Sequence, residues 1–173
     1  MTLAITTPRL HIRWLTEADS SFIYQLYNTE LFLKFVGDKQ LHSIEAARQY
    51  LLNGPIAMYQ RIGIGLYMVE TLEENTPIGI CGLIKRDFLD DIDIGYGFLP
   101  EYFNHGYAFE AAKAVIDHAR NTLKLKRLVA ITSPDNQASI KLLSKLGLRF
   151  EKSIQETKDS PVNSLFGLNF RES

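Results

Sequence analysis

The segment Pro100–Ala111, with the sequence PEYFNHGYAFEA, contains the residues that are best placed to bind an anion. A predicted strand ends at Pro100 and a long predicted helix begins near Tyr107. The first turn of a helix has free N–H groups and the positive end of the helix dipole, which together attract phosphate. The candidate site is built from backbone amides at Asn104, Gly106, Tyr107 and Ala108, with His105 as an added donor.

An ordinary turn is the competing interpretation of this loop. Junctions between a strand and a helix that contain one glycine are common, so Gly106 alone is a weak signal. The three-glycine dinucleotide fingerprint is absent, and so is a Gly-Lys-Ser/Thr phosphate motif. Their absence, together with the lack of repeated βαβ units, disfavours a Rossmann-type nucleotide enzyme.

A second polar group lies about thirty residues further on, in SPDNQASIKLLSKLGLRFE, Ser133–Glu151. Asp135 and Asn136 are typical helix caps, and the apolar residues that follow have helical spacing. Ser139 comes three residues after Asn136, so both side chains share one face of the predicted helix. A surface serine that only bonds the backbone is the alternative for Ser139.

The elements around these segments follow from hydrophobic periodicity. Alternating patterns predict strands, and apolar residues at helical spacing predict helices after Thr16, Ser43, Gly106 and Asp135. Gly54 and Pro55 are expected to interrupt the second helix, and its continuation toward Tyr59 is left open. The predicted order βααβββαβαββ indicates a mixed sheet with helices on its faces. The predicted strands are Arg9–Leu15, Gly65–Leu72, Pro77–Ile84, Asp91–Leu99, Arg127–Thr132, Glu151–Thr157 and Ser164–Phe170.

Composition limits the classes of function. The chain has 173 residues, of which 46% are hydrophobic and 23% charged, so one domain covering residues 1–173 is expected. A net charge of −1 gives no basic surface for nucleic acid or an anionic membrane. No stretch resembles a signal peptide or a membrane span, and Cys81, the one cysteine, is expected to be a buried, inert thiol. A reducing, cytoplasmic setting follows as the expectation.

The two motifs, in this order and spacing, resemble the GNAT acetyltransferases, and within them the RimJ/RimL branch that includes ribosomal-protein N-terminal acetyltransferases. The opening TPRLHIRWLTEAD is similar to the first strand and helix of that branch, so the resemblance covers almost the whole chain. It implies an α/β (α+β) fold with a mixed, mostly antiparallel central sheet of about seven strands and helices on both faces. It also implies a V-shaped cleft between strands 4 and 5, here Asp91–Leu99 and Arg127–Thr132.

The resemblance assigns roles residue by residue, with acetyl-CoA as cosubstrate and no metal. The end of the fourth strand, Tyr96, Gly97 and Phe98, is expected to pair its backbone with the pantetheine arm. The loop and helix start, residues Asn104, His105, Gly106, Tyr107, Ala108 and Phe109, are expected to hold the pyrophosphate, and Asn136 to contact the cofactor arm. Asn104 and Phe109 differ from the commoner small residues of the family. Leu143 occupies the position of a tyrosine proton donor found in many relatives, which rules out that acid here.

The implied reaction is N-acetyl transfer to a primary amine by direct attack through a tetrahedral intermediate. A backbone N–H near Phe98 is the candidate oxyanion donor, and Ser139 the candidate donor to the leaving thiolate. Asp93 is the candidate base, acting through a water, with Glu156 as a competitor. For both acids a solvated position on a strand face is the alternative.

The acceptor is left open between a protein N-terminus and a small amine, and a homodimer is left open as the assembly. The acceptor site is expected around residues 30–40 and the final hairpin. A non-catalytic acyl-CoA-binding regulatory module is the alternative function, favoured by the missing tyrosine and the undecided base. Release of free thiol from acetyl-CoA distinguishes the two.

Overall fold

The computed structural model describes residues 3–171. Its centre is an eight-stranded sheet in the order β1-β2-β3-β4-β5-β6-β8-β7. All neighbouring strands are antiparallel except β5 and β6, which are parallel. The strands are β1 Ala4–Thr6, β2 Leu10–Trp14, β3 Leu66–Thr71, β4 Pro77–Ile84, β5 Asp93–Phe98, β6 Arg127–Thr132, β7 Arg149–Ile154 and β8 Asn163–Asn169.

The predicted fold class is confirmed, with one strand more than expected. The strand missed by sequence reasoning is β1, which has three residues and pairs with β2 at the edge of the sheet. Such a short strand shows too little alternation to be recognised. The prediction of a single domain over residues 1–173 stays a prediction, and residues 1, 2, 172 and 173 lie outside the described part.

Helices cover both faces of the sheet. The α5 and α6 face encloses one apolar cluster, which includes Tyr67, Val115 and Leu143. A second cluster, which includes Leu26 and Met68, lies under the first three helices on the opposite face. The helices are α1 Ser20–Tyr27, α2 Glu30–Phe35, α3 Ile44–Leu51, α4 Ala57–Ile62, α5 Tyr107–Asn121 and α6 Gln137–Lys145.

The expectation that Gly54 and Pro55 interrupt the second predicted helix was wrong. Residues Leu52–Ile56 form a π-helical segment that joins α3 to α4 without a break. A π-helical turn is wider than an α-helical one, so it accommodates the proline ring and the missing N–H of Pro55 within a continuous helix. The helix α2 was also absent from the predicted order.

Helix α5 determines where the candidate site lies. Its buried face is made mainly of small residues, among them Ala111, Ala112 and Ala119, which let the helix lie close to the sheet. It follows β5 and leads to β6, so its first turn lies at the end of β5 where the chain leaves the sheet. None of the helices within residues 3–171 has the length and apolar character needed to span a bilayer.

Candidate active site

A cleft opens in the sheet where β5 and β6 separate. The two strands share one registered pair, Asp93 opposite Val129, although each strand has six residues. The Val129 N–H donates to the carbonyl of Ile92 at 3.1 Å, which marks the last point of close pairing. Further along β5, the residues from Gly95 to Gly97 are only partly buried, whereas Asp93 is buried. This partial exposure locates the opening of the cleft.

Two residues of β5 direct their main-chain groups into this cleft. In an antiparallel pair, successive residues direct their N–H and C=O groups alternately toward and away from the partner strand. The Leu99 N–H donates to Ile78 of β4 at 2.9 Å, so Gly97 also faces β4. Tyr96 and Phe98 therefore present their N–H and C=O groups to the gap between β5 and β6. Of the predicted pantetheine-binding strand residues, these two have backbone groups available for a ligand.

Side chains along β5 also alternate between the two faces of the sheet. Tyr96 and Phe98 belong to the face covered by α5 and α6. A side chain at Gly97 would instead touch Phe32, 3.5 Å away on the face of the first helices. Asp93 is four residues before Gly97 on the same strand, so the two share a face of the sheet. The Asp93 carboxylate therefore lies on the face of the first helices, opposite Tyr96 and Phe98.

The loop before α5 has the conformation of an anion site. Asn104 and Gly106 both have positive φ, 65° and 79°, so the loop turns sharply twice before the helix. Gly106 is the N-cap of α5, and no side chain caps this helix start. The caps that Thr16, Ser43 and Asn136 supply at other helix starts have no counterpart here. The N–H groups of the first turn are left available for an external acceptor.

Arg9, in the turn of the N-terminal hairpin between β1 and β2, holds this loop in place. Its Nη1 donates to the carbonyl of His105 at 2.8 Å, and its Nε donates to Glu110 at 2.7 Å. The guanidinium also lies 4.4 Å from the centre of the Tyr107 ring. Glu110 accepts a further bond from Thr7 Oγ1 at 2.5 Å and one from the Arg9 N–H at 3.0 Å. The loop sequence itself contains no lysine or arginine. Arg9, about a hundred residues earlier in the chain, supplies the positive charge.

These contacts keep Glu110 ionised. Burial works against its charge, but hydrogen bonds from Thr7 and Arg9 outweigh burial and lower the pKa of the carboxyl. A carboxylate in the first turn of a helix is stabilised by the helix dipole. It would also repel a phosphate, and the guanidinium of Arg9 compensates that repulsion.

The start of α6 brings two hydroxyl groups together beside the cleft. Asn136 caps the helix, its Oδ1 accepting from the Ser139 N–H at 3.2 Å. The Ser139 Oγ lies 2.7 Å from the Tyr96 hydroxyl, which joins α6 to β5. Burial raises the pKa of Tyr96 to about 12. Both residues are partly exposed, so a ligand in the cleft can reach them.

Asp93 is buried on the other face, with 1% of its surface exposed. Its Oδ1 accepts from Arg86 Nε at 3.0 Å, while its Oδ2 has no hydrogen-bond partner among the described residues. Burial raises the pKa of Asp93 to about 6, against the lowering effect of Arg86. A buried carboxylate oxygen without a hydrogen-bond partner is the kind of group that accepts a ligand or a water.

Residues 9–149 match the family of GNAT acetyltransferase domains, which is most of the chain. The chain belongs to the GNAT acetyltransferase family. The resemblance seen in the two motifs is thereby confirmed, and so is the prediction that the protein is an acyltransferase.

Relatives and solved structures of similar shape agree with this membership. The uncharacterized N-acetyltransferase YoaA of Bacillus subtilis is 27% identical over 154 residues, covering 88% of this chain and 86% of that protein. An acetyltransferase of Agrobacterium tumefaciens has a TM-score of 0.83 at 23% identity and covers 97% and 95% of the two chains. RimL, a ribosomal L7/L12 α-N-protein acetyltransferase solved with coenzyme A, has a TM-score of 0.84 at 18% identity and covers 96% and 98%. These structures share the GNAT fold.

The structure of this GNAT domain confirms the expectation for Cys81 and corrects those for Asp93 and Glu156. Cys81 is a free, fully buried thiol, and burial raises its pKa, as expected for an inert residue. A solvated position for Asp93 was wrong, because the side chain is buried. Glu156 was expected on a strand, but β7 ends at Ile154 and Glu156 lies exposed in the turn that follows. The sequence carries no turn residue at Ile154 that would have marked this end.

Two features of the GNAT site were missed by sequence reasoning. The sequence pattern indicates Arg9 only as the first residue of a strand, and the family resemblance implies a role for the backbone of Tyr96 but none for its side chain. Both contacts join residues at least 43 positions apart. Nothing in the local pattern of either segment indicates such a partner. In residues 3–171, histidine, cysteine and acidic side chains nowhere gather in a group of three or more that would hold a metal ion.

Proposed function

We propose that this GNAT enzyme transfers the acetyl group of acetyl-CoA to a primary amine. The acceptor class comprises protein N-termini and small amines. The proposal rests on the gap between β5 and β6, into which Tyr96 and Phe98 direct their backbone N–H and C=O groups. This gap leads to the start of α5, which no side chain caps. A ligand with a phosphate end and an extended amide-containing arm matches both parts.

The binding residues in this proposal follow from what each part offers. Free first-turn amides and the loop Asn104–Phe109 hold the pyrophosphate, with the helix dipole and Arg9 supplying the positive field. The backbone of Tyr96 and Phe98 bonds the amide-containing arm as a neighbouring strand would. Asn136 lies at the start of α6, within reach of the same cleft.

Asp93 is the proposed base. The acceptor approaches from the face of the first helices, where the orphan Oδ2 accepts a proton from the attacking nitrogen directly or through a water. With a pKa of about 6, Asp93 is ionised in most molecules at neutral pH. This pKa is also close to the operating pH, which is the condition under which a general base is most effective. Its position on the face opposite Tyr96 separates the proton-accepting side of the site from the side of the leaving group.

The proposed reaction exchanges a C–S bond for a C–N bond and moves one proton from the amine to Asp93. The amine lone pair attacks the thioester carbon, and the C–N bond forms as the proton leaves nitrogen for Asp93. The Phe98 N–H, directed into the cleft, is the donor that stabilises the negative oxygen of the tetrahedral species. The C–S bond then breaks, and the sulfur leaves with the electron pair.

A free-thiol assay tests the proposal. Acetyl-CoA is offered with a panel that contains N-terminal peptides, amino acids, polyamines and lysine derivatives, and released thiol and acetylated product are both quantified. We expect thiol release that depends on at least one amine. Binding of coenzyme A without turnover on any member would instead indicate an acyl-CoA-binding regulatory module. A cytoplasmic location, with its reducing conditions and supply of acetyl-CoA, is part of the same proposal.

A further inference from the structure

The hydrogen bond between Tyr96 and Ser139 joins two elements that approach the cleft from different directions. The hydroxyl oxygens are 2.7 Å apart. Tyr96 lies on β5, and Ser139 lies in the first turn of α6. Their side chains share the face covered by α5 and α6, opposite Asp93.

The two hydroxyls carry one more hydrogen than the hydrogen bond between them requires. Each hydroxyl carries one hydrogen, and their mutual bond needs only one of the two. Within residues 3–171, neither hydroxyl oxygen makes another side-chain or backbone hydrogen bond. Whichever group donates to the other, one O–H is left to donate to a third atom.

The location of that spare donor favours an anion. Ser139 follows the N-cap Asn136 by three residues, at the positive end of the α6 dipole. Cys81, which is opposite Tyr96 on β4, is an uncharged thiol and offers no competing charge. The pair is therefore a neutral donor in a weakly positive environment, and it lies beside the backbone groups of β5 that face the cleft.

We propose that the hydroxyls of Tyr96 and Ser139 act as one hydrogen-bond donor that stabilises the sulfur of coenzyme A as a thiolate when it leaves. This inference rests on the proposed function, and it adds the Tyr96 side chain as a catalytic residue. The sulfur takes the electron pair of the broken C–S bond and accepts a hydrogen bond from the pair. The amine proton goes to Asp93, and both hydroxyls keep their hydrogens.

The relative acidities support stabilisation without proton transfer. Burial raises the pKa of Tyr96 to about 12, whereas an ordinary thiol has a pKa of about 8.5. A serine hydroxyl is less acidic than either. A proton on Tyr96 therefore stays there in the presence of a thiolate, and the position that holds a tyrosine acid in many relatives, Leu143, has no acid to replace it.

The test measures the ionisation of enzyme-bound coenzyme A by the ultraviolet absorbance of its thiolate between pH 6 and 9. A hydrogen bond to a charged group corresponds to a shift of about 1–2 pH units, so we expect the bound thiol to titrate below free coenzyme A by that amount. Tyr96→Phe and Ser139→Ala should each reduce the shift, because the remaining hydroxyl loses the partner that orients and polarises it. The double variant, which has no hydroxyl left to donate, should cancel the shift.

Tyr67→Phe is the matched control. Tyr67 lies opposite Cys81 on the other side from Tyr96, is fully buried, and burial raises its pKa to about 12 as well. Its hydroxyl has no hydrogen-bond partner in the described residues, so its removal should leave the titration of bound coenzyme A unchanged. The Cys81 thiol is fully buried, and burial raises its pKa, so it stays protonated across this range and adds nothing to the thiolate signal.

Calorimetry and turnover separate the outcomes. Coenzyme A should bind all variants with dissociation constants within about threefold of wild type, while the turnover number of Tyr96→Phe falls by about 10- to 100-fold. Wild-type protein that binds no coenzyme A would contradict the proposed function itself. Wild-type protein that binds it with an unshifted thiol, or a shift retained in full in Tyr96→Phe and in Ser139→Ala, would overturn the donor pair.

Discussion

The Asp93 carboxylate combines an ion pair with an oxygen that has no hydrogen-bond partner among the described residues. Arg86 bonds Oδ1, but desolvation has the larger effect, and the pKa of Asp93 is raised to about 6. A carboxylate that keeps one oxygen free in a buried position is more basic than a surface aspartate and remains able to accept a proton. Both properties suit a base that works near neutral pH.

The pH dependence of turnover tests this role. With amine concentration held saturating, wild-type rate should fall as pH decreases through about 6, because Asp93 becomes protonated. Asp93→Asn should lower the turnover number by about 100- to 10,000-fold and remove this acid limb. Arg86→Met, which leaves the carboxylate but removes its cation, should move the limb to higher pH. An acid limb unchanged in Asp93→Asn would assign the base elsewhere.

Gly106 offers a second test at a single residue. Its φ of 79° strains any residue with a Cβ, and a Cβ would lie 3.3 Å from Arg9 Nη2. Gly106→Val should therefore raise the dissociation constant for coenzyme A about tenfold or more while the protein remains folded. Gly63→Val is the control, because Gly63 has a similar φ of 75° and an added Cβ meets nothing within 4 Å. Equal affinity in the two variants would exclude Gly106 from the phosphate site.

Residue types identified part of the candidate site, and the fold supplies the rest. Asn136 and Ser139 were found from a capping pattern and a spacing of three, both of which are local. The partner of Ser139 is Tyr96, and the cation at Gly106 is Arg9, and each lies in a different element. Such pairs arise only from the packing of the sheet, which hydrophobic periodicity does not specify.

The N-terminal hairpin, formed by β1 and β2, positions the loop before α5. Arg9 bonds the carbonyl of His105, which lies between the two residues of positive φ, Asn104 and Gly106. Glu110 in turn fixes Arg9 and Thr7. The loop therefore keeps its shape through contacts with a hairpin turn that lies about a hundred residues earlier in the chain.

Two variants distinguish positioning by this hairpin from simple charge attraction. Arg9→Met should weaken coenzyme A binding about tenfold under either explanation. Glu110→Gln removes a negative charge near the phosphate, so charge attraction alone predicts tighter binding. We expect weaker binding, because the variant releases Arg9 and Thr7 from their shared partner.

The control for this pair is Arg120→Met. Arg120 lies near the C-terminal end of α5, with its guanidinium 4.9 Å from the centre of the Phe170 ring. Its loss changes net charge as Arg9→Met does but leaves the first turn of α5 untouched, so coenzyme A affinity should stay within about twofold. Tighter binding by Glu110→Gln would show that Arg9 acts through charge alone.

Element prediction succeeded where periodicity was long and failed where geometry was unusual. Helix α5 was predicted from its start at Tyr107, and β4 was predicted with its observed bounds, Pro77–Ile84. The π-helical segment Leu52–Ile56 was missed because a Gly-Pro pair ordinarily ends a helix. The helix continues through this segment because of its packing in the folded protein, and the residues around Gly54 and Pro55 give no local sign of that packing.

The burial of Asp93 should make the stability of the folded protein depend on pH. The folded state binds the Asp93 proton more tightly than the unfolded state, because the pKa rises from 3.8 to about 6. Stability from this group is therefore fully present below about pH 4 and is lost as pH rises through about 6. The difference corresponds to at most about 3 kcal/mol.

Denaturant unfolding between pH 4 and 7 measures this effect. The free energy of unfolding of Asp93→Asn, minus that of wild type, should increase across this range, because the variant has no carboxyl to ionise. Subtraction removes contributions from the other acids, such as Glu110, which titrate in both proteins. A constant difference would mean that Asp93 ionises equally easily in both states.

The incomplete pairing of β5 with β6 has a consequence for self-association. An unpaired strand edge is normally a template for the strands of other chains, and proteins protect such edges with charges or bulges. Here the edge lies inside the sheet, between two strands that converge at Asp93 and Val129, so an incoming polypeptide would have to fit its side chains into a narrowing wedge. The pantetheine arm of the proposed cosubstrate has two amides and only small branches, so it is much slimmer than a polypeptide strand. We therefore expect the wedge to admit this arm while it excludes the strands of other chains.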